Sequence, residues 1–193
     1  MAPAIIDAHV ATKLSGPGRR GVGALVGKPE VIDQVDAQLR GAERLEDVQQ
    51  IVKGAARRIA GAHGATFVLL DHDMCYYADE DSMSPLWKGQ RFPVSDCISG
   101  WAMIHRTSVA IADIRRDERI PQAAYRPTFV RSLVMTPMLG PDPVGAIGVY
   151  WAQPGQPDPA VIDALKKLAA LAVAALQRFP EGIPDPGFTV AGR

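Results

Sequence analysis

The stretch from Ser132 to Ala152 constrains the fold more than any other. Ser132 to Met138 and Val144 to Ala152 are apolar, strand-forming runs that flank Gly140-Pro141-Asp142-Pro143. Gly, Pro and Asp are the residues that tight turns require. Strands joined by so short a link pair antiparallel, because a parallel pair needs a long crossover. A lone hairpin cannot bury itself, so the rest of the chain must complete a sheet and cover it.

The remaining elements supply that sheet and cover. Thr66 to Leu70 and Cys75 to Tyr77, linked by Asp71-His72-Asp73, read as a second hairpin. Val109 to Ala112 adds a short strand, and Gln90 to Pro93 adds an edge strand. A first helix opens at Pro29 with Ile32, Val35 and Leu39 on one face. A second runs from Leu45 to Ala60, with Val48, Val52, Ala55 and Ile59 at helical spacing and Gly61 and Gly64 to stop it. A third begins at Asp158-Pro159 and carries Val161, Leu165, Leu168, Ala172 and Leu176. Helices, a meander with a helical interruption and a final helix make an α+β domain over residues 29–178. The expected sheet is twisted and antiparallel, with five or six strands. The helices of residues 29–61 and 158–178 should share one face, and crossovers from about 84 to 108 and 113 to 131 should cover the other. Residues 1–28 read as a flexible arm and 179–193 as a flexible Pro/Gly-rich tail.

Composition narrows the partners. Of 193 residues, 47% are apolar, which is enough for a sizeable core. The net charge is zero and there is no basic stripe, so nucleic acid is not an expected partner. Ala160 to Leu176 contains Asp163, Lys166 and Lys167 and is too short and charged to cross a bilayer. Met1 to Val10 lacks a signal-peptide pattern, and the two cysteines form no CxxC pair, so a cytoplasmic protein is expected.

The order of elements is similar to the GAF family of small-molecule sensor domains. The residues that carry the likeness are Phe92-Pro93-Val94-Ser95-Asp96-Cys97-Ile98-Ser99-Gly100-Trp101-Ala102, Val109 to Asp113, then Asp117, Arg119, Pro121 and Tyr125, then Phe129 to Pro137, and Gly145 to Trp151. Together they resemble the GAF domains of bacterial sensor histidine kinases over about residues 30–178. Pro93 to Asp96 with Ile98, and Tyr125 to Thr136, are distantly similar to phytochrome. The histidine expected before the second segment is absent, since Pro121 and Gln122 stand there. No Asn-Lys-Phe-Asp-Glu set of the cyclic-nucleotide binders is present. The flanks of Cys75 and Cys97 do not match the free methionine sulfoxide reductases.

What the resemblance implies is a regulatory, non-enzymatic sensor in bacterial signal transduction. Its ligand would be a small organic molecule of unknown identity, and its cofactor is equally unknown. The candidate pocket is Trp87, Asp96, Cys97, Trp101, Asp113, Tyr125, Phe129, Arg131, Ser132, Thr136 and Tyr150: aromatic walls with a few polar groups. Alternation along the strands sets Gly148 and Tyr150 opposite Ile147, Val149 and Trp151. It likewise sets Ser132, Val134 and Thr136 opposite Leu133 and Met135, and the more polar sets are expected to face the crossovers. Trp101 and Ile104 should give the short helix its apolar face, and Gly145 and Gly148 should let a helix or ligand approach. The competing readings are a thiol-dependent reductase built on Cys97 and an interaction domain with no ligand. Asp71-His72-Asp73 reads as turn chemistry rather than a metal site. Ile162, Ala169 and Val173 form an extra apolar stripe on the last helix, which points to a homodimer or to a separate signalling protein.

Overall fold

The computed structural model describes residues 29–180. The expected arm and nearly all of the expected tail lie outside the described residues. Two helices open the domain, α1 (Pro29–Arg40) and α2 (Leu45–Ala60). Strands β1 (Gly64–Asp71), β2 (Met74–Ser82) and β3 (Arg91–Pro93) follow, then helix α3 (Ile98–Ile104) and strand β4 (Val109–Ile111). A single turn, α4 (Gln122–Tyr125), precedes β5 (Ser132–Leu139), β6 (Pro143–Trp151) and the last helix, α5 (Pro159–Leu176). The strands form one six-stranded sheet in the order β3-β2-β1-β6-β5-β4. Every neighbouring pair is antiparallel.

The caps follow the local sequence. Asp47 accepts the Arg44 amide at the start of α2, and Gly61 ends that helix in the left-handed region at φ 54. Asp158 accepts the Ala160 amide at 2.8 Å, ahead of Pro159.

The sheet separates two apolar layers. On one side α1, α2 and α5 bury Val35, Val52, Ile59, Leu165 and Leu168 against Phe67, Leu69, Ile147 and Val149. On the other, the crossovers bury Leu86, Trp87, Ile98, Met103 and Tyr125 against Val68, Tyr77, Leu133 and Tyr150. This is the expected arrangement of terminal helices and crossovers.

Four local expectations are corrected. Ser132, Val134 and Thr136 do not face the crossovers. In the β5–β6 register Leu133 lies opposite Tyr150, Val134 opposite Val149 and Thr136 opposite Ile147. Directly opposed residues share a face, so β5 turns Leu133 and Met135 to the crossovers, and Ser132 and Thr136 to the helices. In α3 the buried side chains of the apolar face are Ile98, Ala102 and Met103, with Ser99 and Gly100 buried beside them, while Trp101 is half-buried and Ile104 is 50% exposed. Gly145 and Gly148 make room for neither helix nor ligand. A Cβ on Gly145 would lie 2.0 Å from the Val68 carbonyl oxygen, and one on Gly148 would lie 2.3 Å from the Tyr150 hydroxyl. Ala169 and Val173 are buried within the chain, so covering them requires no second copy.

Strand β2 is also longer than its apolar run. Its register against β1 shifts between Phe67 and Val68, which leaves Ala78 as an extra residue. Ala78 packs on the helical layer, and Asp79 beyond it pairs with Lys53 of α2. Asp79 also meets Lys88 at 2.6 Å and Gln50 at 3.1 Å. Burial alone would raise the Asp79 carboxyl, but the two ammonium groups hold it below its ordinary value.

Lys53 and Asp79 are both buried. Asp79→Ala strands the Lys53 ammonium and should cost about 3–5 kcal/mol in urea unfolding, whereas Lys53→Met with Asp79→Leu should recover most of that loss. Because the folded carboxyl titrates below its unfolded value of about 3.9, the pair's contribution is complete above that pH. It disappears as pH falls through the lower folded value. A single variant within about 1 kcal/mol of wild type would contradict this account.

Candidate functional site

The crossover layer is built on aromatic rings. Trp87 lies between Tyr77, Tyr125 and Tyr150, with ring centroids 5.4, 4.7 and 5.6 Å away. Such distances are those of favourable aromatic pairs. Tyr150 folds back along the sheet over Gly148, so its hydroxyl reaches Thr66 Oγ1 of β1 at 2.9 Å.

A buried group of hydroxyls and thiols lies under the rings. Tyr77 and Ser99 hydroxyls are 3.2 Å apart, and Cys97 Sγ is 3.2 Å from the same Ser99 oxygen. Burial raises the Tyr77, Tyr125 and Tyr150 phenols, and Cys97 raises each further. Tyr125 is 3% exposed, and its hydroxyl has no hydrogen-bond partner among the described residues. The Cys75 thiol holds that of Cys97 at about 7 by hydrogen bonding, against the effect of burial and helped by the Ser99 hydroxyl and the Gly100 amide. The same interaction, added to burial, pushes the Cys75 thiol up. Close approach is possible because residue 100 is glycine: a Cβ there would lie 1.9 Å from the Val94 carbonyl oxygen.

Residues missed in the sequence hold this layer in place. Glu80 lies one residue beyond Asp79 and so faces the crossovers. Its carboxylate accepts the amides of Leu86, Trp87 and Lys88 at 2.9, 2.9 and 3.0 Å. Trp87 in turn donates its indole N–H to the Ala124 carbonyl at 3.3 Å. Beside it, Leu86, Trp87, Phe92, Ala124 and Thr128 line an open groove of about 260 Å³. The only available signal was the acidic run Asp79-Glu80-Asp81, which resembles a loop until the bulge at Ala78 is known.

The eleven expected site residues divide into groups. Trp87, Cys97, Tyr125 and Tyr150 come together in the buried layer, with Phe129 half-buried at its margin. Trp101 is also half-buried at that margin, stacked on His105 at 4.1 Å and under the Arg119 guanidinium at 4.8 Å. Asp96 is exposed on its loop and accepts from Ser95. Asp113 caps the turn after β4 by accepting the Arg115 amide, and Arg131 stands 3.7 Å from it. Arg131 Nε is buried with no partner among the described residues. Ser132 bonds the Gln153 carbonyl, and Thr136 meets Ser108 at 3.2 Å, both away from the crossover layer. In the first hairpin, Asp71 is engaged by Arg91 and His72.

A family model described as GAF domain matches residues 42–177. The chain belongs to the GAF family. Among solved structures, it is similar to the GAF domain of an Acinetobacter phosphoenolpyruvate-protein phosphotransferase. The TM-score is 0.70 at 16% identity, covering 79% of this chain and 94% of that one. The free methionine-R-sulfoxide reductase of Neisseria meningitidis, in complex with its substrate, gives 0.68 at 16% identity over 80% and 90%. The GAF-B domain of DevS from Mycobacterium smegmatis gives 0.59 at 16% identity over 70% and 95%. At these identities the likeness is one of fold. A comparison with curated proteins finds no match.

The sheet face beneath the crossovers of this GAF domain is therefore closed by Trp87, and Trp87 is held by Glu80. Glu80→Ala removes the acceptor of three amides. Hydrogen exchange at Leu86 to Lys88 should accelerate about 10- to 100-fold, while β1 and β6 stay protected. Unchanged exchange at those amides would mean that the loop is held by packing alone.

Proposed function

We propose that this GAF domain is a cytoplasmic sensory module of bacterial signal transduction. It would take a small uncharged organic compound on the crossover side of the sheet. The observation that carries the reading is the Tyr125 hydroxyl, buried and unpartnered beside the Tyr77, Tyr150, Ser99 and Cys97 groups. An orphaned buried hydroxyl costs about 1–3 kcal/mol, and a compound that offers it a partner recovers that cost. The lining favours an uncharged compound. Its uncharged polar groups are hydroxyls and thiols; of the hydroxyls, that of Tyr125 alone lacks a partner among the described residues, Glu80 is occupied by backbone amides, and an unpaired charge buried there would be expensive. The outward side of α5, with Lys166, Lys167, Ala170 and Ala174, is the surface that a second copy or a separate signalling protein would read.

Denatured protein, extracted and analysed by mass spectrometry, should release a stoichiometric small compound. Tyr125→Phe should reduce the released amount about tenfold and leave the empty protein as stable or up to about 1 kcal/mol more stable. Light scattering with and without that compound reports any second copy. An extract at background level, with Tyr125→Phe destabilising, would favour an interaction domain that takes no ligand.

The thiol pair favours a second reading, a reductase of the free methionine sulfoxide type. Turnover of free methionine sulfoxide that vanishes in Cys97→Ser would replace the sensor reading; the expected result is no turnover in either protein.

A further inference from the structure

The loop that leaves α3, the end of β5 and the middle of α5 enclose a second cleft, of about 200 Å³, away from the aromatic layer. Arg106 and Lys166 bring two positive charges to it, and none of its lining residues is acidic. Arg106 closes α3. Its amide and that of Thr107 return to the carbonyls of Met103 and Ala102, and its φ is 51. A helix that ends in this left-handed way ordinarily places glycine there; here the position carries a guanidinium. That guanidinium donates to the Gly140 and Pro141 carbonyls at 3.0 and 3.3 Å. Neutral carbonyls fix its position and leave its charge uncompensated. Lys166 meets only Asp163 among the described residues, one turn back on the same helix at 3.4 Å, with both side chains more than half exposed.

The cleft also holds a donor. Ser108 Oγ and Thr136 Oγ1 are 3.2 Å apart, and Thr136 is 1% exposed. One bond between two hydroxyls uses one proton, and the second proton has no acceptor among the described residues. Leu139 and Ala169 make the neighbouring wall apolar. We propose that this cleft binds a small organic carboxylate with a short apolar body. The carboxylate lies between Arg106 and Lys166 and accepts the spare hydroxyl proton, and the body lies against Leu139 and Ala169. Inorganic phosphate satisfies the cations and leaves the apolar wall bare. An uncharged compound covers the wall and leaves the cations without a counterpart. The inference does not rest on the sensor reading, because this cleft differs from the crossover layer in its residues, its charge and the side of the sheet on which Thr136 lies.

The experiment is an amide NMR titration of the isotope-labelled full chain with hexanoate at constant ionic strength. Saturable shifts should cluster at residues 106–108, 136–139 and 166–170. Hexanamide, which keeps the body and loses the charge, should bind at least about tenfold more weakly, and so should inorganic phosphate. Two variants at exposed positions leave the core intact. Lys166→Glu reverses one charge, and Ala170→Leu fills the cleft from its rim; each should raise the hexanoate dissociation constant about tenfold or more while the rest of the amide spectrum stays unchanged. The absence of saturable shifts at about 10 mM hexanoate, where a millimolar site would be nearly full, would overturn the site. Shifts centred on Trp87 and Tyr125, or shifts that persist in both variants, would do the same. Hexanamide binding as tightly as hexanoate would remove the carboxylate, and phosphate binding as tightly would remove the apolar body.

Discussion

The acidic end of β2 joins the two layers of the domain. Asp79 and Asp81 reach down to Lys53 and Arg57 of α2, and Glu80 between them reaches up to the amides of residues 86–88. Period-2 alternation sends neighbouring side chains to opposite faces, so one short run can grip both. The bulge at Ala78 sets which member of the run points which way. If Ala78 were instead paired in regular alternation, the carboxylates would exchange faces: Asp79 would meet the crossover loop, and Glu80 would meet the helix. The position of Trp87, and through it the packing of Tyr125 and Tyr150, depends on this register.

The charges at the joint differ in character. The Lys53–Asp79 pair is buried and pays for its desolvation with contacts to Lys88, Gln50 and the Glu80 carbonyl. A pair of this kind contributes less to net stability than to a unique arrangement, because a misplaced α2 would leave both charges unpaired. The Arg57–Asp81 pair is partly exposed and weaker. Glu80 requires no cation, since three amide dipoles converge on it.

The fold was legible where periodicity and punctuation agree. Gly140 to Pro143, Gly61 and Asp158-Pro159 each marked a boundary that the structure keeps, and the apolar faces of α2 and α5 followed from spacing alone. Ala78 to Ser82 was not legible, because a polar run has no strand-forming bias and only pairing with β1 makes it a strand. The faces of β5 could not be read from polarity. Ser132 and Thr136 are polar yet face the helices, where Gln153 and Ser108 satisfy them. Only the register against β6 settles that choice. Within the candidate site, the aromatic residues were legible by type and position. The hydroxyls of Thr66, Tyr77 and Ser99 were not, because their significance comes from contacts between distant segments.

Trp87 separates the open groove beside Ala124 from the hydroxyl group beneath it, and its indole N–H is fastened to the Ala124 carbonyl. The consequence is kinetic. A visitor coming from the groove cannot reach Tyr125 by diffusion through fixed space; the indole must first turn aside and release that bond. Entry then proceeds no faster than the loop swings open, and exit is limited by the same step. A compound seated there as proposed would exchange slowly, at a rate set by the motion of the loop and not by its affinity alone.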